Sequence, residues 1–136
     1  MTAREWLSRA RTIDRELEAL VEARDRLEAQ LTKATQSLTG DPVQSSKDPH
    51  RFDELGDYAL QIQQAIKTCH EIKAETMAVI RKIDNTVFRS LLEQRYLNGK
   101  SFEQIAVEMN YSWRQVHRLH GRALVEVAEV LKCRNE

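Results

Sequence analysis

Cysteine is nearly absent from this 136-residue chain: there are two, Cys69 and Cys133, and no zinc-binding spacing exists around either. Cys69 falls within an apolar repeat and reads as a small buried hydrophobe, whereas Cys133 stands alone near the C-terminus. Four histidines are present. His117 and His120 are three apart without a third ligand nearby, and His50 and His70 sit in unrelated contexts, so no metal or other cofactor is expected. A glycine-rich phosphate loop, a nucleophile elbow and a paired-carboxylate pocket are all missing, which argues against an enzyme. No apolar run approaches the roughly 20 residues a spanning helix needs, and no signal-peptide pattern opens the chain. The expectation is a cytoplasmic protein with reduced thiols and no membrane association. Net charge is absent too, since 21 basic residues balance 21 acidic ones.

What is present is helical patterning, with 41% hydrophobic and 31% charged residues. Start and stop signals are densest between Asn85 and Lys132. Val87 to Leu97 has helical apolar spacing and ends at Asn98-Gly99, where glycine can take the left-handed conformation that closes a helix. Ser101-Phe102-Glu103-Gln104 forms a capping box, in which the serine hydroxyl and the glutamine side chain satisfy free amides at a helix start. A short helix then runs to about Met109, Asn110-Tyr111 makes a turn, and Ser112-Trp113-Arg114-Gln115 forms a second capping box. The helix it opens continues to about Lys132. Together these signals describe a helix-turn-helix.

Ile105, Ala106 and Met109 on the short helix share a core-facing spacing with Val116, Leu119, Ala123, Leu124 and Val127 on the long one. Outside that core, Arg114, Arg118 and Arg122 recur every fourth position and line one exposed stripe, with Gln115 and His117 beside it. No acidic residue occurs from Asn110 to Val125. A basic local field in a neutral chain is a matter of placement. Arginines on the N-terminal half of such a helix can enter a DNA major groove, where guanidinium groups pair with guanine edges or neutralise phosphates. The plainer alternative is a solvated charged face. Trp113 has two readings, as a cover over the turn or as a contact for a thymine methyl or sugar.

The run from Arg95 to Ala106, then Tyr111-Ser112, Val116 and Arg122-Ala123-Leu124, resembles region 4 of bacterial sigma factors, the promoter-binding module. It covers roughly the last third of the chain. With its long helical N-terminal part, the whole sequence is similar to small phage-encoded proteins of Gram-positive bacteria that carry this module, including late-transcription activators of the autolysin-regulator (ArpU-like) group. The resemblance implies base contacts from Trp113, Arg114 and Arg118, and backbone contacts from Gln115, His117 and Arg122. Housekeeping sigma factors commonly place an acidic base reader where this chain has Arg114, so their promoter sequence does not transfer. Segments that grip the polymerase core or melt DNA are missing as well, which sets the chain apart from a complete sigma factor.

In the N-terminal part, Trp6, Ala10, Ile13, Leu17, Leu20, Arg24, Leu27, Leu31, Ala34 and Leu38 alternate steps of four and three, the seam of a coiled coil. Thr39 to His50 collects both prolines with small polar residues and reads as a mobile connection. The seam resumes at Leu55, Tyr58, Ile62, Ala65, Cys69, Ile72, Thr76, Val79 and Ile83. Facing positions of a folded-back pair sum to 89 (Trp6 with Ile83, Ala10 with Val79, Leu17 with Ile72, Leu27 with Ile62, Leu31 with Tyr58), which predicts an antiparallel hairpin. Each helix is then about 50 Å long at about 1.5 Å per residue. The same register sets Arg24 against Ala65, leaving room for the arginine stem to cross the seam. Ala59, Ile66, Met77 and Ile80 widen the second helix's stripe beyond what a two-helix seam covers. The missing cover is the C-terminal domain, a second copy, or both.

The expected fold is all-α: an antiparallel hairpin over 1–83 with a loop at 39–51, then a helix-turn-helix DNA-binding domain over 84–136. The expected function is a sequence-specific, double-stranded-DNA-binding transcription regulator of phage or prophage type. Its hairpin would serve for homodimerisation or RNA polymerase contact, and a dimer would suit half-sites about 34–36 Å apart. A monomer whose hairpin packs on its own helix-turn-helix is the simpler architecture. Two other roles use the same parts: a small terminase-like DNA-packaging subunit, and a sigma-like module that docks on RNA polymerase with little DNA binding.

Overall fold

The computed structural model describes the backbone of residues 1–37 and 49–135 and the side chains of 1–33 and 52–135. Among these residues every regular element is helical: α1 (Ala3–Ser37), α2 (Pro49–Arg81), α3 (Thr86–Leu92, continued by a π-helical turn, Glu93–Leu97), α4 (Phe102–Met109) and α5 (Trp113–Arg134). The architecture is the all-α one expected, a long antiparallel helical hairpin followed by a helix-turn-helix. Most of the connection assigned to 39–51, together with Leu38 and the Ala34 side chain, lies outside the described residues. Its last three residues, Pro49, His50 and Arg51, belong to α2 instead. Proline suits a first helical position because its fixed φ is already helical and the amide it lacks has no intrahelical acceptor there.

Packing divides the chain into two units, one formed by Met1–Ile13 with Cys69–Glu136 and the other by Asp14–Thr68. In the Asp14–Thr68 unit, Leu27, Ile62 and Ala65 are buried, and Leu17, Leu20, Leu31, Leu55 and Tyr58 are half-buried. These are the seam positions. Arg24 takes its seam place with Nε buried, while Nη2 reaches out to Asp25 Oδ1 at 3.3 Å. Phe52, Ala59, Leu60 and Ile66 stay exposed on the flank of α2.

In the other unit the ends of both long helices share a core with the C-terminal helices. Leu7, Val79, Ile80, Ile83, Phe88, Leu92, Tyr96, Ala123 and Val127 form one buried cluster, edged by Trp6, Leu119, Leu124 and Leu131. The wide stripe of α2 is therefore covered here by the chain's own α3 and α5, and Ile80 is 0% exposed. Leu7, which lies off the seam, is also fully buried because this core approaches α1 from the side. The change of element expected at residue 84 is present, with Asn85 capping α3, but the packing unit runs across it. Thr76 is the one buried polar seam residue among those described, and its hydroxyl donates to Ile72 O at 2.8 Å, an acceptor within its own helix.

Candidate nucleic-acid interface

Asn85 starts α3 by accepting from the amides of Val87 (2.9 Å) and Phe88 (3.2 Å) through its side-chain oxygen. The helix widens into a π turn before it ends, with Asn98 N donating to Glu93 O at 3.0 Å. Gly99 then takes φ +70°, a conformation that a side chain would strain, and Lys100 N returns to Gln94 O at 3.0 Å.

Both predicted capping boxes form. Gln104 N donates to Ser101 Oγ at 3.2 Å and Ser101 N donates to Gln104 Oε1 at 3.0 Å. At the start of α5, Gln115 N donates to Ser112 Oγ at 3.1 Å and Ser112 N to Gln115 Oε1 at 2.9 Å. Between the two helices Asn110 adopts φ 58°, ψ 39°, a left-handed position that asparagine tolerates better than most residues. Tyr111 N donates to Ala106 O at 3.0 Å and closes the turn.

α5 buries Val116, His120, Ala123 and Val127, one stripe at helical spacing. Leu91, Ile105, Ala106 and Val116 make a second small core that fixes α5 against α4, with Phe102, Met109, Tyr111 and Leu119 around it. The outward face is thereby set. Arg114, Arg118 and Arg122 are exposed on it, as are Trp113 and Gln115. Among the described residues none of these three guanidiniums takes part in an ion pair or hydrogen bond, whereas Arg9 holds Glu75 at 3.3 Å and Lys100 holds Glu108 at 2.6 Å. The stripe thus presents uncompensated charge.

His117 is placed differently from its expected role. Its ring is half-buried, 4.0 Å from that of Trp113 and 4.4 Å from that of Phe102, centroid to centroid. Packing on both sides makes it a support for Trp113 more than a free phosphate ligand. Trp113 stacks on His117 and is still 56% exposed. Gln115 commits its side-chain oxygen to the cap, which leaves its NH2 to donate outward.

Beneath these residues the rings continue inward. Phe102 lies 4.9 Å from His120 and carries the Arg95 guanidinium 4.0 Å above its centroid. His120 Nε2 and Tyr96 Oη share a buried hydrogen bond of 2.7 Å. Burial lowers the His120 pKa to about 4, aided by the positive charges of Arg4, Arg95 and His117. Burial also raises the Tyr96 pKa, so both partners are neutral near pH 7. This pair escaped sequence reasoning, although His120 stands four residues after Val116 and three before Ala123, on the core stripe.

Compared with protein-family models, with curated proteins and with solved structures, the chain shows no match to any of them.

Proposed function

We propose that the chain is a double-stranded-DNA-binding transcription regulator of the phage or prophage type, reading sequence with the N-terminal half of α5. The observation that carries this reading is the stripe of Arg114, Arg118 and Arg122, exposed on a doubly anchored helix and in no ion pair among the described residues. An arginine held this way can offer its planar fork bidentately to guanine O6 and N7, at about 1–3 kcal/mol of discrimination per pair. Arg114 and Arg118 take this role, with Trp113 beside them for an apolar edge. Arg122 and the Gln115 NH2 fall to phosphates, which fix register without reading sequence. His117 braces Trp113. The hairpin then serves oligomerisation or contact with RNA polymerase.

A docking role on polymerase has one observation in its favour. Val107 is 77% exposed on the outer face of α4, beside Glu103, Gln104 and Glu108. Such a surface suits a protein partner better than a phosphate backbone.

The test is a titration of labelled duplexes, one selected by the protein from a random pool and one scrambled, at two salt concentrations. Arg118→Ala is expected to weaken the selected duplex about 10-fold or more and to narrow the gap to the scrambled one, while Arg122→Ala weakens both alike. Equal weakening by Arg118→Ala on both duplexes contradicts the base-reading role, and an absence of duplex binding favours docking.

A further inference from the structure

We infer that α1 carries a second strip of the DNA surface, in which Arg4 and Arg11 contact the phosphate strand that passes the start of α4. This inference rests on the duplex-binding reading above and extends it to a helix with no part in the helix-turn-helix motif. Arg4 and Arg11 are seven residues apart, two helical turns, and so occupy one face of α1. Arg9, on a different face, holds Glu75 at 3.3 Å, and Arg134 approaches the same carboxylate at 3.9 Å. Charge is compensated on that side of α1. Neither Arg4 nor Arg11 makes an ion pair among the described residues.

Arg11 is held in place by carbonyls, which leave its charge whole. Its Nη1 donates to Arg95 O at 3.1 Å and to Lys100 O at 3.5 Å, while Arg95 Nη1 donates to the same Lys100 O at 3.2 Å. Two guanidiniums therefore converge on the turn that ends at Ser101, the cap of α4. In a helix-turn-helix the helix before the recognition helix crosses the DNA backbone, so this turn is where a phosphate strand arrives when α5 enters the groove. Continuity with α5 is direct, because Arg95 lies over Phe102 at 4.0 Å and Phe102 stacks on His117 at 4.4 Å.

The Arg4 side chain is exposed and makes no hydrogen bond or ion pair among the described residues. Its charge acts on the buried His120, on the core-facing side of α5. The strip thus follows one face of α1, from Arg11 at the turn before α4 to the exposed Arg4 two helical turns away.

The experiment measures the slope of log K against log salt for the full chain on two fluorescein-labelled duplexes, selected and scrambled. Each lost phosphate contact should make the slope shallower by about 0.9. Arg4→Gln is expected to reduce it by that amount on both duplexes alike, the Arg4→Gln, Arg11→Gln pair by about 1.8, and Arg4→Lys to keep it. Arg4 is exposed and makes no side-chain hydrogen bond or ion pair among the described residues, so Arg4→Gln decides the matter even if the Arg11 change loosens α1. An unchanged slope in Arg4→Gln, with wild-type binding intact, overturns this inference and leaves the α5 reading standing. Failure of the wild-type chain to bind either duplex overturns both.

Discussion

The two ends of α2 carry the same widened apolar pattern and meet opposite fates. Near its C-terminal end Ile80 is 0% exposed, sealed beneath the core that α3 and α5 supply, whereas in the Asp14–Thr68 unit Ile66 is 41% exposed and Leu60 and Phe52 more so. The pattern states how wide a stripe must be covered and leaves open what covers it. One end is completed by this chain. The other presents surface that a second copy or a protein partner could take up.

The largest effect should separate those ends. Ile80→Ala is expected to cost about 2–5 kcal/mol in denaturant unfolding, because a fully enclosed side chain leaves a cavity. Ile66→Ala should stay within about 0.5 kcal/mol for an isolated chain, as surface substitutions do. A concentration-dependent loss in Ile66→Ala breaks the comparison and means that the exposed end is covered by another copy.

Acid should act on the covered core. His120 moves from the ordinary 6.5 to about 4 on folding, so between those values the unfolded chain binds a proton that the folded chain does not. Stability is then full above about pH 6.5 and falls as pH drops toward 4, by something on the order of 2 kcal/mol after allowing for solvent screening. Chemical denaturation at a series of pH values checks this, with His120→Gln expected to flatten that window.

Much of the molecule is legible in the order of its residues. Both capping boxes, the left-handed Gly99 and the seam positions follow from local chemistry, because caps and heptads depend on residues a turn or two apart. Leu7 and Ile80 are harder, since the core that buries them comes from α3 and α5, far along the chain. The exposed arginines are readable from a four-residue repeat. His117 is not, because its packing depends on Phe102 from another helix, and Arg11 needs the turn at Lys100 to acquire meaning.

The smallest effect uses two glycines as a matched pair. Gly56 and Gly121 both sit inside helices with open space where a Cβ would point. Alanine at either should stabilise by about 0.5–1 kcal/mol, since nothing in the fold requires glycine there. Only Gly121→Ala should also weaken duplex binding, a few-fold, because only its face of α5 is proposed to approach DNA. Equal DNA affinity in both variants would move the contact surface away from residue 121.

Base reading by α5 can be tested by selecting binding sites from a random duplex pool with wild-type protein and with the Arg114→Ala, Arg118→Ala double variant. The wild type is expected to enrich a defined sequence motif that is lost in the double variant, whose helical content is unchanged. Enrichment of the same motif by both proteins would contradict base reading by α5.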